Sequence, residues 1–269
     1  MDCYEGGEGS PLVLLHGLSA SWHVWRPLLS ILERQHRVFA PTLPGHPGGA
    51  PWPAGREANL DAIVDVLAED LAQRKIDRPH IAGNSLGGLL ALELARRGIA
   101  ASVTALSPAG AWRSDRDYLA VARPFRIAHA LMPLMIAAAR PLLRFSGVRR
   151  ALNAQAMVHG DRVPAGEVLR AMQSMAGTSI LPQLLTSMQR DGPIKPLAVN
   201  EIPVTIAWCE YDRVIPFETY GAPMLEKVPG AQAETVKGAG HVPMYDEPQQ
   251  VADMILATVS KAGGPRVCP

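Results

Sequence analysis

The chain has 269 residues, 24 glycines, 24 prolines and a net charge of +1. The length suits one α/β domain with an insertion, and the near-neutral charge provides no global field that would attract nucleic acid. The three cysteines, Cys3, Cys209 and Cys268, are too few and too far apart for a disulfide framework or a metal cluster. Met1–Glu5 lacks the basic and apolar regions of a signal peptide. We therefore expect a cytoplasmic protein without a metal or cofactor.

Alternating strand and helix patterns predict a parallel sheet in the first 110 residues. Short apolar runs predict strands at residues 11–15, 37–40, 80–82 and 102–106. Apolar residues at helical spacing predict helices over residues 22–34, 60–73 and 86–97. Apolar runs without alternation are typical of strands buried on both faces. The expected fold class is therefore α/β, with a doubly wound, mostly parallel sheet.

The alternation stops at Ala111 and resumes only after Pro196. The residues between them form helical stretches rich in Ala, Leu, Met and Arg. Beyond them, patterns predict strands at 204–208 and 233–236 and helices at 217–227 and 248–259. We therefore divide the chain into an α/β core, residues 1–110 and 197–269, and an inserted helical cap, residues 111–196. Such a cap would lie over the carboxyl ends of the strands, where open α/β sheets place their sites.

The predicted cap is basic and rich in methionine. From Trp112 to Pro196 it has eleven Arg and one Lys against four Asp and one Glu, a net charge of +7. The simpler explanation is solvated arginines on outer helix faces; the alternative is a basic lid that attracts anionic substrates or an anionic lipid surface. Its apolar run, residues 127–143, is too short for a spanning helix and is interrupted by His129, Pro133 and Arg140, so we expect no transmembrane segment.

A candidate nucleophile lies between the third predicted strand and the helix that follows. Gly83-Asn84-Ser85-Leu86-Gly87 has the G-x-S-x-G pattern in the strand–turn–helix context that makes it informative. Such a turn is tight, and a Cβ at Gly83 or Gly87 would clash with neighbouring backbone. Ser85 would then stand at a helix N-terminus, whose unpaired N–H groups favour negative charge.

A serine nucleophile needs a base, and the base needs an orienting acid. Asp212 and His241 each follow a predicted strand, and the order Ser85, Asp212, His241 is the one described for this type of site. Glu210 is the nearest rival for the acid, although in an extended run its side chain would point to the opposite face. Asp115 and Asp117 are more remote alternatives.

Together these motifs resemble the α/β-hydrolase fold superfamily, in particular capped serine hydrolases such as carboxylesterases and lipases. The resemblance covers about residues 8–110 and 200–260 and rests on five motifs in order: His16-Gly17, Leu43–His46, Gly83–Gly88, the Asp212 turn and Gly240–Pro243. Three features depart from the family pattern. Thr42 and Cys209 replace a usual Asp and Gly. Before the first strong strand, only Cys3–Glu5 could supply a strand where the family usually has two, which leaves open whether one edge strand is missing.

The resemblance implies a role for each motif. Ser85 would attack an acyl carbonyl, His241 would transfer the proton and Asp212 would orient the imidazole. The backbone N–H groups of Leu18 and Leu86 would hold the oxyanion, with His16 bracing that loop beside Gly17.

We therefore expect a serine esterase that cleaves small carboxylic esters with an apolar acyl or alcohol part through a covalent acyl-enzyme. A thioesterase or a C–C bond hydrolase on the same triad is the alternative, although C–C hydrolases usually have Trp where this chain has Val242. Members with an aspartate nucleophile, such as epoxide hydrolases, are disfavoured by Ser85. A non-catalytic receptor on the same fold is the alternative from another class, and the oligomeric state is left open.

Overall fold

The computed structural model describes residues 2–198 and 201–263, so Cys268 lies outside the described part. Within that part, seven strands form one sheet in the order β1-β3-β2-β4-β5-β6-β7, parallel except for β1. The strands are β1 (Cys3–Gly6), β2 (Ser10–Leu15), β3 (His36–Pro41), β4 (His80–Asn84), β5 (Ser102–Leu106), β6 (Val204–Cys209) and β7 (Gln232–Val236). The predicted α/β class with a mostly parallel sheet is confirmed, and a single antiparallel edge strand precedes β2.

Helices cover both faces of this sheet because successive apolar side chains of each strand point in opposite directions. The helices are α1 (Arg26–Leu32), α2 (Leu60–Gln73), α3 (Leu86–Arg96), α8 (Ala222–Lys227) and α9 (Pro248–Ala262). Leu12 and Leu14 pack with Trp25 and Ile255, on the face of α1 and α9. Val13 and its neighbours pack on the other face, with α2, α3 and α8. This double burial explains why the strand runs are apolar throughout rather than alternating.

In the described residues, four α-helices follow β5 and precede β6, and we call them the helical insertion. They are α4 (Asp115–Ala139), α5 (Ser146–Asn153), α6 (Ala165–Gly177) and α7 (Leu181–Asp191). Ser114 caps α4 in a reciprocal arrangement with Asp117, which satisfies N–H groups at the start of the longest helix. The insertion reaches the sheet's carboxyl edge, where Ser174 Oγ donates to the Ala20 carbonyl at 2.7 Å. The domain boundaries at 110/111 and 196/197 stay a prediction.

The first insertion helix is longer than the apolar run in the sequence. With the turn that follows it, α4 continues from Asp115 to Leu142, 28 residues, and by length and composition alone it could cross a membrane. The expectation that this stretch is too short therefore does not hold, because the helix begins well before residue 127. Buried contacts of Met132 and Ala139 with Val168 and Met172 of α6 instead pack one side of α4 on the insertion.

Candidate active site

Ser85 occupies a strained position between β4 and α3. Its φ of 55° and ψ of −116° lie outside the regions that non-glycine residues prefer. The turn is held on both sides, since Ser85 N donates to the Leu106 carbonyl and Ala109 N donates to the Ser85 carbonyl. Asn84 and Leu86 are buried, whereas Ser85 is half-buried. The turn therefore presents the hydroxyl at the carboxyl edge of the sheet.

Glycine at positions 83 and 87 is required by the close approach of backbone at this turn. A Cβ on Gly83 would lie 2.1 Å from the carbonyl oxygen of Gly87. A Cβ on Gly87 would lie 2.1 Å from the carbonyl oxygen of Leu15 in β2. Both distances are far inside van der Waals contact, so the two glycines allow the sheet, the turn and α3 to meet.

Two backbone N–H groups near Ser85 are free to bind an anion. Within residues 2–198 and 201–263, neither Leu18 N nor Leu86 N has a hydrogen-bond acceptor. Leu86 opens α3, so its N–H belongs to the unpaired donors of a helix N-terminus. Gly17 lies against the Gly83–Gly87 turn, which we call the elbow, since a Cβ on Gly17 would be 3.3 Å from Ser85 Cβ. Leu18 and Leu86 are the two donors that the sequence assigns to an oxyanion hole, and that assignment stays a prediction.

Two buried histidines brace the loop that carries Leu18. His16 Nδ1 lies 2.8 Å from the Gly17 carbonyl oxygen and its Nε2 accepts from Leu43 N at 2.9 Å. His46 Nε2 accepts from Ser19 N at 3.1 Å. Each ring uses one nitrogen as an acceptor, which requires the neutral form. Burial accordingly lowers the pKa of His16 well below 6.5 and that of His46 to about 4.

His241 and Asp212 form a buried pair beside the elbow. His241 Nδ1 lies 2.7 Å from Asp212 Oδ2, and both residues are less than one-tenth exposed. The other carboxylate oxygen, Oδ1, accepts from Val214 N at 3.0 Å and Ile215 N at 2.8 Å. Because the carboxylate can only accept, it holds the proton of His241 on Nδ1 and leaves Nε2 able to take one.

The structure separates Asp212 from its rivals for the acid. Glu210 Oε2 accepts from Gly238 N at 2.8 Å, near the surface and without contact to His241. Asp117 caps α4, and Asp115 lies beside it in the first turn of that helix. Only Asp212, among the candidates from the sequence, contacts the His241 ring in the described residues.

Two apolar cavities meet at Ser85. The smaller, of about 70 Å³, extends under α4 and α7 and is lined by Leu86, Trp112, Tyr118 and Met188. The larger, of about 260 Å³, lies beside His241 and is lined by side chains that include Met132, Met157, Met172 and Met175. Leu18, Ser85, Phe125 and Val214 border both. No hydrogen bond joins Ser85 to His241 in the described residues, but both line the larger cavity.

The sequence matches the model of a known protein family over most of its length. The model, described as the alpha/beta hydrolase family, matches residues 12–254. The chain belongs to the alpha/beta hydrolase family. One relative of this hydrolase is the epoxide hydrolase EphH of Mycobacterium tuberculosis, which is 31% identical over 203 residues, or 74% of this chain and 94% of that protein.

Solved structures agree with the hydrolase fold. An esterase from Thermogutta terrifontis superposes with a TM-score of 0.73 and 19% identity, covering 98% of this chain and 94% of its own. The carboxylesterase CesB from Bacillus subtilis gives 0.68 and 20% identity, covering 98% and 88%. At these identities the likeness shows the fold alone.

Two site residues of this hydrolase were missed by the sequence analysis. Asn84 Nδ2 donates to the His241 carbonyl at 2.8 Å and so joins the elbow to Gly240–Pro243, the turn that carries the candidate base, which we call the base turn. Asp246 is fully buried and accepts three backbone N–H groups, from Val158, His159 and Gly240, at 2.7–2.9 Å. It joins the insertion to the residue before His241. The proximity of Asp246 to the Gly240–Pro243 motif was the one available signal, since its partners lie far away in the chain.

We expect the stability of this hydrolase to fall as the pH drops from 6.5 to 4, in part because of His46. In this window the unfolded chain protonates a histidine whose folded pKa is about 4. The unfolded state therefore binds more protons, and the free energy of unfolding decreases with falling pH. Over this range His46 alone should lower the free energy of unfolding by about 3 kcal/mol, at about 1.4 kcal/mol per pH unit. The lowered pKa of His16 acts in the same direction.

Urea unfolding at a series of pH values measures this effect. The control is His46→Gln, which removes the titrating ring while retaining an acceptor for Ser19 N. Its free energy of unfolding should depend on pH less steeply than that of the wild-type protein between pH 6.5 and 4. Identical slopes would show that His46 is not held neutral.

Proposed function

We propose that the protein is a serine hydrolase that cleaves carboxylic esters with an apolar acyl or alcohol part through a covalent acyl-enzyme. The observation that carries this proposal is the buried His241–Asp212 pair beside a strained Ser85, with two nearby backbone N–H groups that have no acceptor among the described residues. Acyl transfer requires three things: a nucleophile, a base that an acid orients, and donors that stabilise the oxyanion.

In the proposed reaction, His241 Nε2 takes the proton of Ser85 as its oxygen attacks the ester carbonyl. The N–H groups of Leu18 and Leu86 stabilise the oxyanion, and Asp212 stabilises the imidazolium. His241 then protonates the alcohol, the bond from the acyl carbon to the alcohol oxygen breaks, and the acyl group remains on Ser85. Water, activated by His241, attacks this acyl-enzyme and releases the carboxylic acid.

The two cavities support an assignment of the two halves of the substrate. Because His241 protonates the leaving alcohol, the alcohol belongs in the larger cavity, which His241 lines. The acyl chain then occupies the smaller cavity of about 70 Å³, about a quarter of the volume of the larger one. We therefore propose a preference for short acyl chains and bulkier apolar alcohols.

A substrate panel tests the proposal. p-Nitrophenyl esters of increasing acyl length, acetates of increasing alcohol size, acyl thioesters, a vinylogous 1,5-diketone and an aryl epoxide would be compared by kcat/KM. We expect the highest values for esters with short acyl chains. Thioesters or the diketone at the top would favour the alternative acyl substrates, and binding without turnover of any compound would favour a non-catalytic receptor.

Epoxide hydrolysis is the second candidate, because the relative EphH carries that name. The chemistry of Ser85 argues against it. Attack of a serine oxygen on an epoxide carbon would form an ether, which has no carbonyl for water to attack, so the enzyme would not turn over. Sustained hydrolysis of the epoxide, with no ester activity, would overturn the ester proposal.

Matched variants test the assignment of the cavities. Trp112 lines only the smaller cavity and Met172 only the larger one. Trp112→Ala should move the preferred acyl chain to greater length and leave the alcohol preference unchanged. Met172→Ala should do the reverse. The opposite pattern would exchange the acyl and alcohol cavities.

Asp212→Asn should lower kcat for the best ester by about 10³- to 10⁴-fold, because the amide no longer fixes the His241 tautomer or balances its charge. Glu210→Gln is the matched control. Glu210 accepts from Gly238 N rather than from His241, so its amide should retain kcat within a few-fold. A larger loss in Glu210→Gln than in Asp212→Asn would reassign the acid to Glu210.

A further inference from the structure

The helical insertion carries an exposed apolar face along α4 and the turn that follows it. Leu134 is 73% exposed and Ile127 is 60% exposed. Ile127, Leu131 and Leu134 recur at helical spacing, so they lie on one side of α4. Leu142 and Phe145 extend the exposed surface beyond the end of the helix. We call these five residues the apolar face.

The stretch of chain that carries this face has formal charges of only one sign. Residues 118–160 contain six arginines and no Asp or Glu. Arg123 lies one turn before Ile127 on the same side of α4, and the Arg144 guanidinium lies 4.7 Å from the centre of the Phe145 ring. The arginines of this stretch are Arg123, Arg126, Arg140, Arg144, Arg149 and Arg150.

Elsewhere in the described part of the chain, arginines are commonly paired with carboxylates. Nine of them form ion pairs, for example Arg26 with Glu167 and Arg190 with Glu57. None of the six arginines of residues 118–160 forms an ion pair within residues 2–198 and 201–263. Ordinary solvated helix faces carry charges of both signs, so this segregation indicates an anionic partner.

The apolar side chains and the arginines together distinguish between three possible partners: a second copy of the chain, a nucleic acid and an anionic lipid surface. A second copy of the same face would bring like charges together without any carboxylate to offset them. A nucleic acid would use the arginines but would leave the central leucines in water. An anionic lipid surface would bind both the arginines and the apolar side chains, because lipid phosphates pair with arginine while apolar side chains enter the boundary of the acyl chains.

The apolar face is also continuous with the entrance to Ser85. Met135 and Leu152 are exposed at the surface and also line the larger cavity. The other side of α4 is packed against α6 and α7 through Met132 and Tyr118. The helix therefore lies along the molecule with its free side outward, and a lipid surface docked there would face the cavity that leads to the catalytic serine.

We infer that the apolar face and its flanking arginines form a docking surface for an anionic lipid bilayer. Docking would hold the mouth of the larger cavity at the lipid surface, where amphiphilic esters concentrate. The inference goes beyond the proposed reaction and does not depend on it, since lipid binding is measured without turnover.

Co-sedimentation with vesicles tests the inference. The vesicles contain ether-linked phosphatidylglycerol or ether-linked phosphatidylcholine, so that no carboxylic ester is present and hydrolysis cannot affect binding. We expect the wild-type protein to bind phosphatidylglycerol at least tenfold more tightly, with an affinity that falls as salt is raised. Equal binding to both lipids, or no binding, would overturn the inference.

Three double variants localise the binding. Leu134→Ser with Phe145→Ser, and Arg123→Gln with Arg144→Gln, should each weaken phosphatidylglycerol binding by about tenfold or more. The control, Arg34→Gln with Arg78→Gln, removes the same charge from exposed residues outside the insertion and should bind like the wild type. Urea unfolding verifies that each variant is folded.

Each contrary outcome points to a different explanation. An equal loss in the Arg34 and Arg78 control would mean that net charge alone drives binding. Binding that survives the serine substitutions and is competed by DNA would assign the face to a polyanion. A dimer in sedimentation equilibrium that the serine substitutions dissociate would assign it to a second copy. Any of these results would overturn the inference.

Discussion

Replacing Ser85 with alanine is expected to lower kcat for ester hydrolysis by about 10⁴-fold or more, on the scale found for loss of a serine nucleophile. Without the Ser85 oxygen no acyl-enzyme can form, and His241 has no proton to accept. The Leu18 and Leu86 N–H groups remain, so substrate binding and a small residual rate should persist. The measurement is kcat and KM for the best ester of the panel, with KM expected to change little.

Covalent labelling identifies the reacting atom independently of turnover. A fluorophosphonate probe should label the wild-type protein at Ser85 and fail to label Ser85→Ala. Ser260→Ala is the matched control, because Ser260 is an exposed serine of α9 that donates to Ala257 O, away from the site. This variant should be labelled and should hydrolyse esters like the wild type. Labelling or hydrolysis that survives Ser85→Ala would contradict the assignment of the nucleophile.

Gly87→Ala is expected to destabilise the protein by about 3 kcal/mol or more, at the upper end of overpacking and strain effects. The new Cβ would lie 2.1 Å from the carbonyl oxygen of Leu15. That oxygen cannot move aside easily, because β2 is paired with β3 on one edge and β4 on the other. The first turn of α3 would have to shift, which would also displace Ser85 and the Leu86 N–H.

The free energy of unfolding in urea measures this cost. Gly166→Ala is the matched control, since Gly166 lies in α6 and a Cβ there would meet no atom within 4 Å. That substitution should stabilise the protein by up to about 1 kcal/mol, because alanine favours helix more than glycine does. Equal stability of the two variants would show that the close approach at Gly87 is not a packing constraint.

Local patterns were sufficient for much of the α/β core. The strand Ser102–Leu106 and the helix Leu60–Gln73 have the predicted bounds, because each is defined by apolar residues close together in the chain. Predictions were less exact where the backbone is irregular. The helix expected over residues 217–227 begins as a π turn, Phe217–Gly221, before α8.

The candidate site likewise contains residues that local patterns could predict and residues that they could not. The G-x-S-x-G pattern indicated Ser85 because the steric demand for Gly83 and Gly87 is local to the turn. The distinction between Asp212 and Glu210 required the fold, because two residues apart in one loop they differ in partner rather than in chemistry. Asp246 could not be predicted, since its N–H donors come from the insertion as well as from the base turn.

The sequence by itself therefore determined the parallel sheet, the Gly83–Gly87 turn and the order of Ser85, Asp212 and His241 along the chain, since short-range patterns encode them. Only the tertiary structure decided how the helical insertion encloses Ser85 between a small and a larger cavity. It also decided which side of α4 is left exposed beside arginines that form no ion pair within the described residues. The physical reason is that both features depend on packing between helices distant in the chain, which local apolar spacing does not specify.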